Sequence, residues 1–215
     1  VLHLFCKARP DADPEAVITA VKTGQGDEQQ VVTFSVLGHK ADIGLLAIGP
    51  DLWRLRAFQT AVQAAGLEVV SSYVSLTEVS EYAKGMPAEM LTPRLYPQLP
   101  PDGMGAICFY PMSKRRNPGQ NWYELAYEER ERLMYAHGKS GRAFRGRVLQ
   151  LVTGSTGLDD FEWGVTLFGV GPDDLKDVVY TLRFDEASAR YVEFGPFFTG
   201  MVADVEQVLR GAGLR

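Results

Sequence analysis

The chain has 215 residues, 46% of them hydrophobic and 23% charged, enough for one large domain or two small ones with a sizeable core. A formal net charge of −5 and a pI near 5.3 argue against a nucleic-acid backbone or an anionic membrane as partner, so any anion site must be local. Two cysteines, Cys6 and Cys108, both inside apolar runs, suit a reducing cytoplasm, and no apolar run is long enough to span a bilayer.

Val1 falls inside an apparent first strand, "VLHLFCKA", so a few residues are expected to precede it, and the stretch is broken by charge and proline too early for a signal peptide. A helix follows from "PEAVITAV", then strands at "QVVTFSVL" and "DIGLLAIG", a helix from "PDLWRLRAFQTAVQAAG" and a strand at "LEVVSSYVSL", in the order βαββαβ. "AKGMPAEMLTPRLYPQLPPDG" is rich in Pro, lacks periodicity and reads as a surface linker. The order then repeats with strand "MGAICFYPM", helix "EERERLMYAHG", strands "RVLQLV" and "FEWGVTLFG", helix "PDDLKDVVYTLRF" and strand "RYVEFGPFF". An amphipathic helix, "MVADVEQVLRGAG", closes the chain. The corners "AIGPDLWRL" and "GVGPDDLKD" each place Gly and then Pro at a helix's first turn. The expected class is α+β, with two tandem ferredoxin-like units at residues 1–95 (unit plus linker) and 96–215.

No C-x-x-C, H-E-x-x-H, G-x-x-x-x-G-K-S/T or G-x-S-x-G is present, which removes support for structural zinc, zincin chemistry, a P-loop and an α/β-hydrolase elbow. Of the three histidines, His137 shares a helical stripe with Leu133 and Met134. Spacing alone favours an imidazole near a helix C-terminus, with Gly138 as the residue after the last turn. The alternative is an axial ligand to a haem, which brings four nitrogens of its own and needs only one from the protein. Gln150 is the lone polar residue in "RVLQLV", either satisfied in the core or at an opening in the sheet. Arg183 ends a helix and Ser188 follows, either as a solvated cap or as a fork for a carboxylate. "YPMSKRRNPGQNW" delivers Tyr110 at a strand end with Lys114, Arg115 and Arg116 behind it. Three cations at one strand mouth are unusual in an acidic chain.

Taken together, "YPMSKRRNPGQNWYEL", "ERLMYAHGKSGR", "VLQLVTGSTGLDDFEWGVTLF" and "LRFDEASARYVEFGPFF", with "SSYVSLTEVSEY" in the first half, resemble the chlorite dismutase-like haem proteins. Within them the match is to the hydrogen-peroxide-dependent coproheme decarboxylases. The resemblance implies a dimeric α+β barrel, usually a homopentamer, with porphyrin in the C-terminal half. It implies His137 as the proximal iron ligand, which overrides the dipole reading, and Gln150 on the opposite face of the porphyrin. Chlorite-splitting members carry an arginine at the position of Gln150, so that activity loses support here.

On the same basis the substrate is iron coproporphyrin III and the product haem b. Hydrogen peroxide is the oxidant, Tyr110 carries the radical and Lys114 holds a reactive propionate. Arg183, Ser188, Arg94 and Tyr73 match positions that anchor propionates, and Met112 faces the porphyrin edge, open to oxidation by excess peroxide. At least one of Arg115 and Arg116 is expected to face solvent, and Trp163 to be a core aromatic on an alternating strand rather than an electron relay. A coproporphyrin ferrochelatase is the expected donor. The competing functions are chlorite dismutase or haem peroxidase, and a haem carrier or sensor without turnover.

Overall fold

In this computed structural model, which describes residues 1–26, 28–83 and 85–214, the first half of the chain forms β1 (Leu2–Ala8), α1 (Pro14–Gly24), β2 (Gln30–Val36), β3 (Ile43–Ile48), α2 (Leu52–Ala64), β4 (Leu67–Val74), β5 (Leu76–Thr77) and α3 (Ala88–Leu95). The second forms β6 (Ala106–Lys114), β7 (Arg116–Asn117), β8 (Gln120–Asn121), α4 (Tyr127–Arg142), β9 (Val148–Gly154), β10 (Trp163–Gly169), α5 (Pro172–Leu182), α6 (Glu186–Ala189), β11 (Val192–Phe194), β12 (Phe198–Val202) and α7 (Val205–Gly211). Among the described residues no helix is long and apolar enough to cross a membrane. Helices packed on antiparallel sheet make the class α+β, as expected.

Two compact units divide the chain, Val1–Ser75 with Phe198–Arg215, and Leu76–Phe197. The division differs from the sequence halves because the run "RYVEFGPFF" is two strands. Gly195 packs so closely on Phe161 and Pro111 that a β-carbon would stand 2.6 Å from each, and Pro196 has no N–H to donate. The ladder that β11 makes with β6 therefore stops at Phe194, and β12 pairs instead with β2, Gly200 opposite Val36. The last strand and α7 thus join the first unit.

In that first unit the sheet order is β4-β1-β3-β2-β12. Leu4, Cys6, Ile43 and Leu45 face Val17, Leu55, Phe58, Val62 and Val208 on the three helices. Pro14 opens α1 behind an Asp13 cap that accepts the N–H groups of Glu15 and Ala16. At the next corner α2 starts two residues later than the Gly-Pro pattern suggests: Asp51 is the cap, accepting the Trp53 N–H at 2.8 Å, and Pro50 stays outside.

In the second unit β10 lies between β6 and β9, β5 extends the sheet beyond β9, and β11 pairs along the end of β6. Alternation along the paired strands puts Cys108, Tyr110, Met112 and Lys114 of β6, Val165 and Leu167 of β10, and Gln150 and Val152 of β9 on one face. Helix α5, with Pro172 in its first turn, lays Leu175, Val178 and Leu182 on that face. Each such burial contributes about 1.5–3 kcal/mol.

Two readings of the sequence are corrected here. The stretch read as a linker, in which Lys84 lies outside the described residues, contains α3, a helix with Pro93 inside it and no buried residue. Without a buried face it shows no helical period in its apolar residues. Helix α4, read as ending at Gly138, continues to Arg142.

Candidate functional site

Helix α4 carries Leu133, Met134, His137, Ser140 and Gly141 along one stripe. Leu133 is buried with Trp122, Ala187 and Tyr191, and Met134 packs on that cluster. This anchors the stripe and turns His137 inward. Its Nδ1 lies 3.0 Å from Asp185 Oδ2, while Ser140 Oγ donates to Asp185 Oδ1 at 2.9 Å. Asp185 occupies the N-cap of α6 but caps no N–H, because its carboxylate is committed to His137 and Ser140.

The dipole reading of His137 therefore fails: Gly138 is a helix-interior residue, and Lys139 and Arg142 occupy the last turn instead. Burial lowers the imidazole pKa; Asp185 opposes that effect and the Lys114 ammonium adds to it. A neutral ring beside a carboxylate carries its proton on Nδ1, since an ionised carboxylate only accepts. The Nε2 lone pair is then left to coordinate a metal.

Below the same helix lies a cavity of about 340 Å³. Its wall comprises His137, Gly138, Gly141 and Arg142 of α4, Arg145 in the turn that follows, Val148 and Gln150 of β9, Leu182 of α5, and Met86, Met90 and Arg94 at α3. It contains three guanidinium groups and no carboxylate. A β-carbon at Gly141 would stand 3.2 Å from Gln150 Nε2, so glycine is what lets the helix approach the strand there. Gln150 is exposed, at an opening in the sheet rather than in the core.

Of the residues singled out from sequence, the cavity wall brings together His137, Gln150 and Arg94. Arg94 is exposed, with Nη1 3.1 Å from Met86 Sδ. Tyr110, Met112 and Lys114 share the sheet face with Gln150 but are not in the cavity wall. Tyr110 is 7% exposed, stacked on Phe197 at 4.5 Å with Phe194 edge-on at 5.4 Å. Burial, with a smaller effect of Cys108, pushes its phenol far above the ordinary range. Met112 is half-buried against this cluster, in register with a half-buried Trp163.

Lys114 is also 7% exposed; its ammonium donates to the Ala187 carbonyl at 3.0 Å and lies 4.0 Å from the centre of the Trp122 ring. Burial pulls its pKa down to about 8 against the opposing charge of Glu162. Arg183 caps α5 in solvent, over the rings of Tyr180 and Phe184 at 4.1 and 4.9 Å. Ser188 sits in α6, its N–H on the Asp185 carbonyl at 2.9 Å. Tyr73 belongs to the other compact unit, buried on β4 in register with His3. Arg116 is mostly exposed and pairs with Glu162, while Arg115 reaches Gln120 and Glu193.

Sequence reasoning missed Asp185 and Glu162. Both lie inside stretches that carried the resemblance, "LRFDEASAR" and "DDFEWGVTLF", but neither has a spacing that ties it to a partner 48 residues away. Among the described residues no group of three His, Cys, Asp or Glu side chains is gathered to hold a bare metal ion. An iron already held in a porphyrin fits: His137 could supply the axial nitrogen and the guanidinium groups could meet carboxylates.

Fold and site thus define an α+β protein with a cavity lined by one histidine and three arginines. The model of the chlorite dismutase family matches residues 12–203, and the chain belongs to that family. It is 46% identical over 179 residues to a coproheme decarboxylase of Staphylococcus saprophyticus, covering 79% of this chain and 71% of that protein. A protein of Natronomonas pharaonis described as a candidate heme-binding protein is 44% identical over 191 residues, which cover 81% of this chain but only 31% of that longer relative. Among solved structures, one titled as a novel heme-binding protein from Thermus thermophilus superposes with a TM-score of 0.87 at 38% identity, covering 99% of this chain and 94% of that one.

Proposed function

We propose that this protein is an enzyme that decarboxylates two propionates of iron coproporphyrin III to vinyl groups with hydrogen peroxide, producing haem b. The observation that carries the reading is His137, held neutral with Nδ1 on Asp185 beside a cavity ringed by guanidinium groups. The identity to a coproheme decarboxylase supports it. The porphyrin unit is then Leu76–Phe197, within which the cavity lies.

Bound through His137, the porphyrin iron supplies the two-electron reduction of peroxide. Each propionate loses one CO₂, one proton and two electrons, and one peroxide takes up two protons and those electrons to become two waters. Tyr110 carries the first oxidising equivalent to the propionate. Because burial keeps its phenol protonated, the electron and proton leave together, and the radical takes hydrogen from the propionate β-carbon. Tyr110 is two strands and one same-face row from Gln150, roughly 12 Å by ordinary strand spacing and rise. That span suits a residue at the porphyrin's edge when Gln150 lies over its centre. Lys114, further along the same face, holds a propionate as a point charge, and Arg94, Arg183 and Ser188 meet the others.

Gln150 is a neutral amide, so no positive charge at that position holds a departing oxyanion, which favours decarboxylation over chlorite chemistry. The buried thiols Cys6 and Cys108, not paired in a disulfide, suit a cytoplasmic site of action, where the donor would be a coproporphyrin ferrochelatase and the assembly a homopentamer.

The test is to load the apoprotein with ferric coproporphyrin III, add peroxide stepwise and follow the porphyrin by mass. Two successive losses of one CO₂ and two hydrogens are expected, and Tyr110→Phe should bind the porphyrin and release no CO₂. Binding with an unchanged porphyrin would leave a carrier or sensor, and oxygen release from chlorite over many turnovers would move the reading to a chlorite dismutase.

A further inference from the structure

Glu162 immediately precedes β10 as a 6% exposed carboxylate, and nothing in the proposed reaction uses it. Its Oε2 accepts the main-chain N–H of Lys114 at 2.8 Å, its Oε1 accepts from Arg116 Nη2, and the Tyr123 hydroxyl also bonds to it. Its own N–H is received by the Met112 carbonyl at 3.1 Å and the Ser113 hydroxyl at 3.2 Å. One side chain and its backbone therefore tie the end of β6 to the β7–β8 hairpin and to the turn that follows. That turn carries Trp122, whose ring lies against the Lys114 ammonium. Arg116 also covers the Tyr123 ring at 4.8 Å, closing the group from the solvent side.

A buried carboxylate with three donors and one cation partner is costly to desolvate and is kept only where the geometry is tightly set. Here the set geometry is the strand end that bears Tyr110, Met112 and Lys114. Resting on the coproheme reading, we propose that Glu162 is a positioning residue for the reaction: it holds the β6 end and the Trp122 turn together so that the Lys114 ammonium stays charged and aimed at a substrate carboxylate. This also gives Arg116 a role, as counter-ion to Glu162 rather than as a propionate ligand.

The charged groups on elements packed around Lys114 are Glu162 and Arg116, His137 with Asp185, Glu186 and Arg190 on or beside α6, and Arg115 with Glu193. Of these, Glu162 is the group that raises the ammonium's pKa against burial. Removing its charge and removing its cation should therefore move Lys114 in opposite directions, which mere loosening of the hairpin would not do.

The experiment is a pH titration of the Lys114 ε-carbon by NMR in the apoprotein, assigned with Lys114→Arg, for wild type, Glu162→Gln and Arg116→Gln. Coproheme affinity at pH 6 and pH 8 is measured alongside. Glu162→Gln should lower the Lys114 midpoint by about half a unit or more and weaken binding several-fold at pH 8 with little change at pH 6. Arg116→Gln should raise the midpoint. Equal midpoints in all three, or shifts of the same sign in both variants, would overturn the proposal. If Glu162→Gln does not fold, Tyr123→Phe, which removes one donor and frees the carboxylate's charge, should also raise the midpoint, and a fall would count against it. Failure of the wild type to bind coproheme would sink the functional reading, while the apoprotein titration would still decide the role of Glu162.

Discussion

In the proposed function Asp185 decides which nitrogen of His137 is left for the iron. By accepting Nδ1–H it fixes the tautomer and leaves Nε2 basic. Asp185→Asn, which replaces a charged acceptor by a weaker neutral one, should lower affinity for ferric coproporphyrin III about tenfold. A Soret titration measures this, with the circular dichroism of the apoprotein unchanged. Lys114 gives a second prediction with a defined sign. Its ammonium form attracts a carboxylate and its amine form does not, and burial lowers its pKa to about 8. Affinity should therefore be full below that pH and decline as pH rises through it, and Lys114→Met should lose that dependence. At this scale the sequence was only partly legible. The ligand role proposed for His137 rested on the surrounding "MYAHGKSGR", since a single histidine has no ligand spacing of its own. Asp185 was invisible because it pairs across 48 residues, from a position whose local signal is that of a helix cap.

Helix α4 shows why element boundaries were harder to read than element types. Glycine is a common stop signal, so "AHG" reads as a terminus. The helix passes through both Gly138 and Gly141 because the His137 and Ser140 bonds to Asp185 tie down the turns around them. The glycines line the cavity wall instead, where a side chain would take up its space. Two substitutions separate the effects. A β-carbon at Gly138 would meet nothing nearer than Arg142 Nη1 at 3.6 Å, so Gly138→Ala should stabilise the apoprotein by about 0.5–1 kcal/mol. That corresponds to a rise in Tm of roughly 1–4 °C for a chain of this size. Gly141→Leu drives a side chain into the close approach of α4 to the Gln150 amide, so coproheme binding should be lost and the apoprotein's Tm should fall, opposite in sign to Gly138→Ala.

At the scale of the whole molecule, strand and helix periodicity made the α+β class and the element order legible. The pairing of β12 with β2 was not, because periodicity says nothing about which strand a terminal segment joins. Charge is the other whole-molecule property, and it sets the last prediction. A chain of net charge −5 repels a porphyrin bearing four carboxylates at long range, yet the cavity wall presents Arg94, Arg142 and Arg145, with Arg183 and Lys114 in the same unit. Binding then depends on a local field that reverses the global one, and such a field is short-ranged once ions screen it. Raising ionic strength from about 50 to about 500 mM shortens the screening length from near 14 to near 4 Å, so the repulsion is lost first and the contact pairs later. Stopped-flow association of ferric coproporphyrin III should therefore be little affected, or slightly faster, on the first additions of salt, and should then slow as the guanidinium contacts are screened. Haem b, with two carboxylates instead of four, should show a flatter profile throughout. A monotonic steep fall from the lowest salt would mean that attraction dominates at every distance, and that the acidic remainder of the surface lies too far from the entrance to matter.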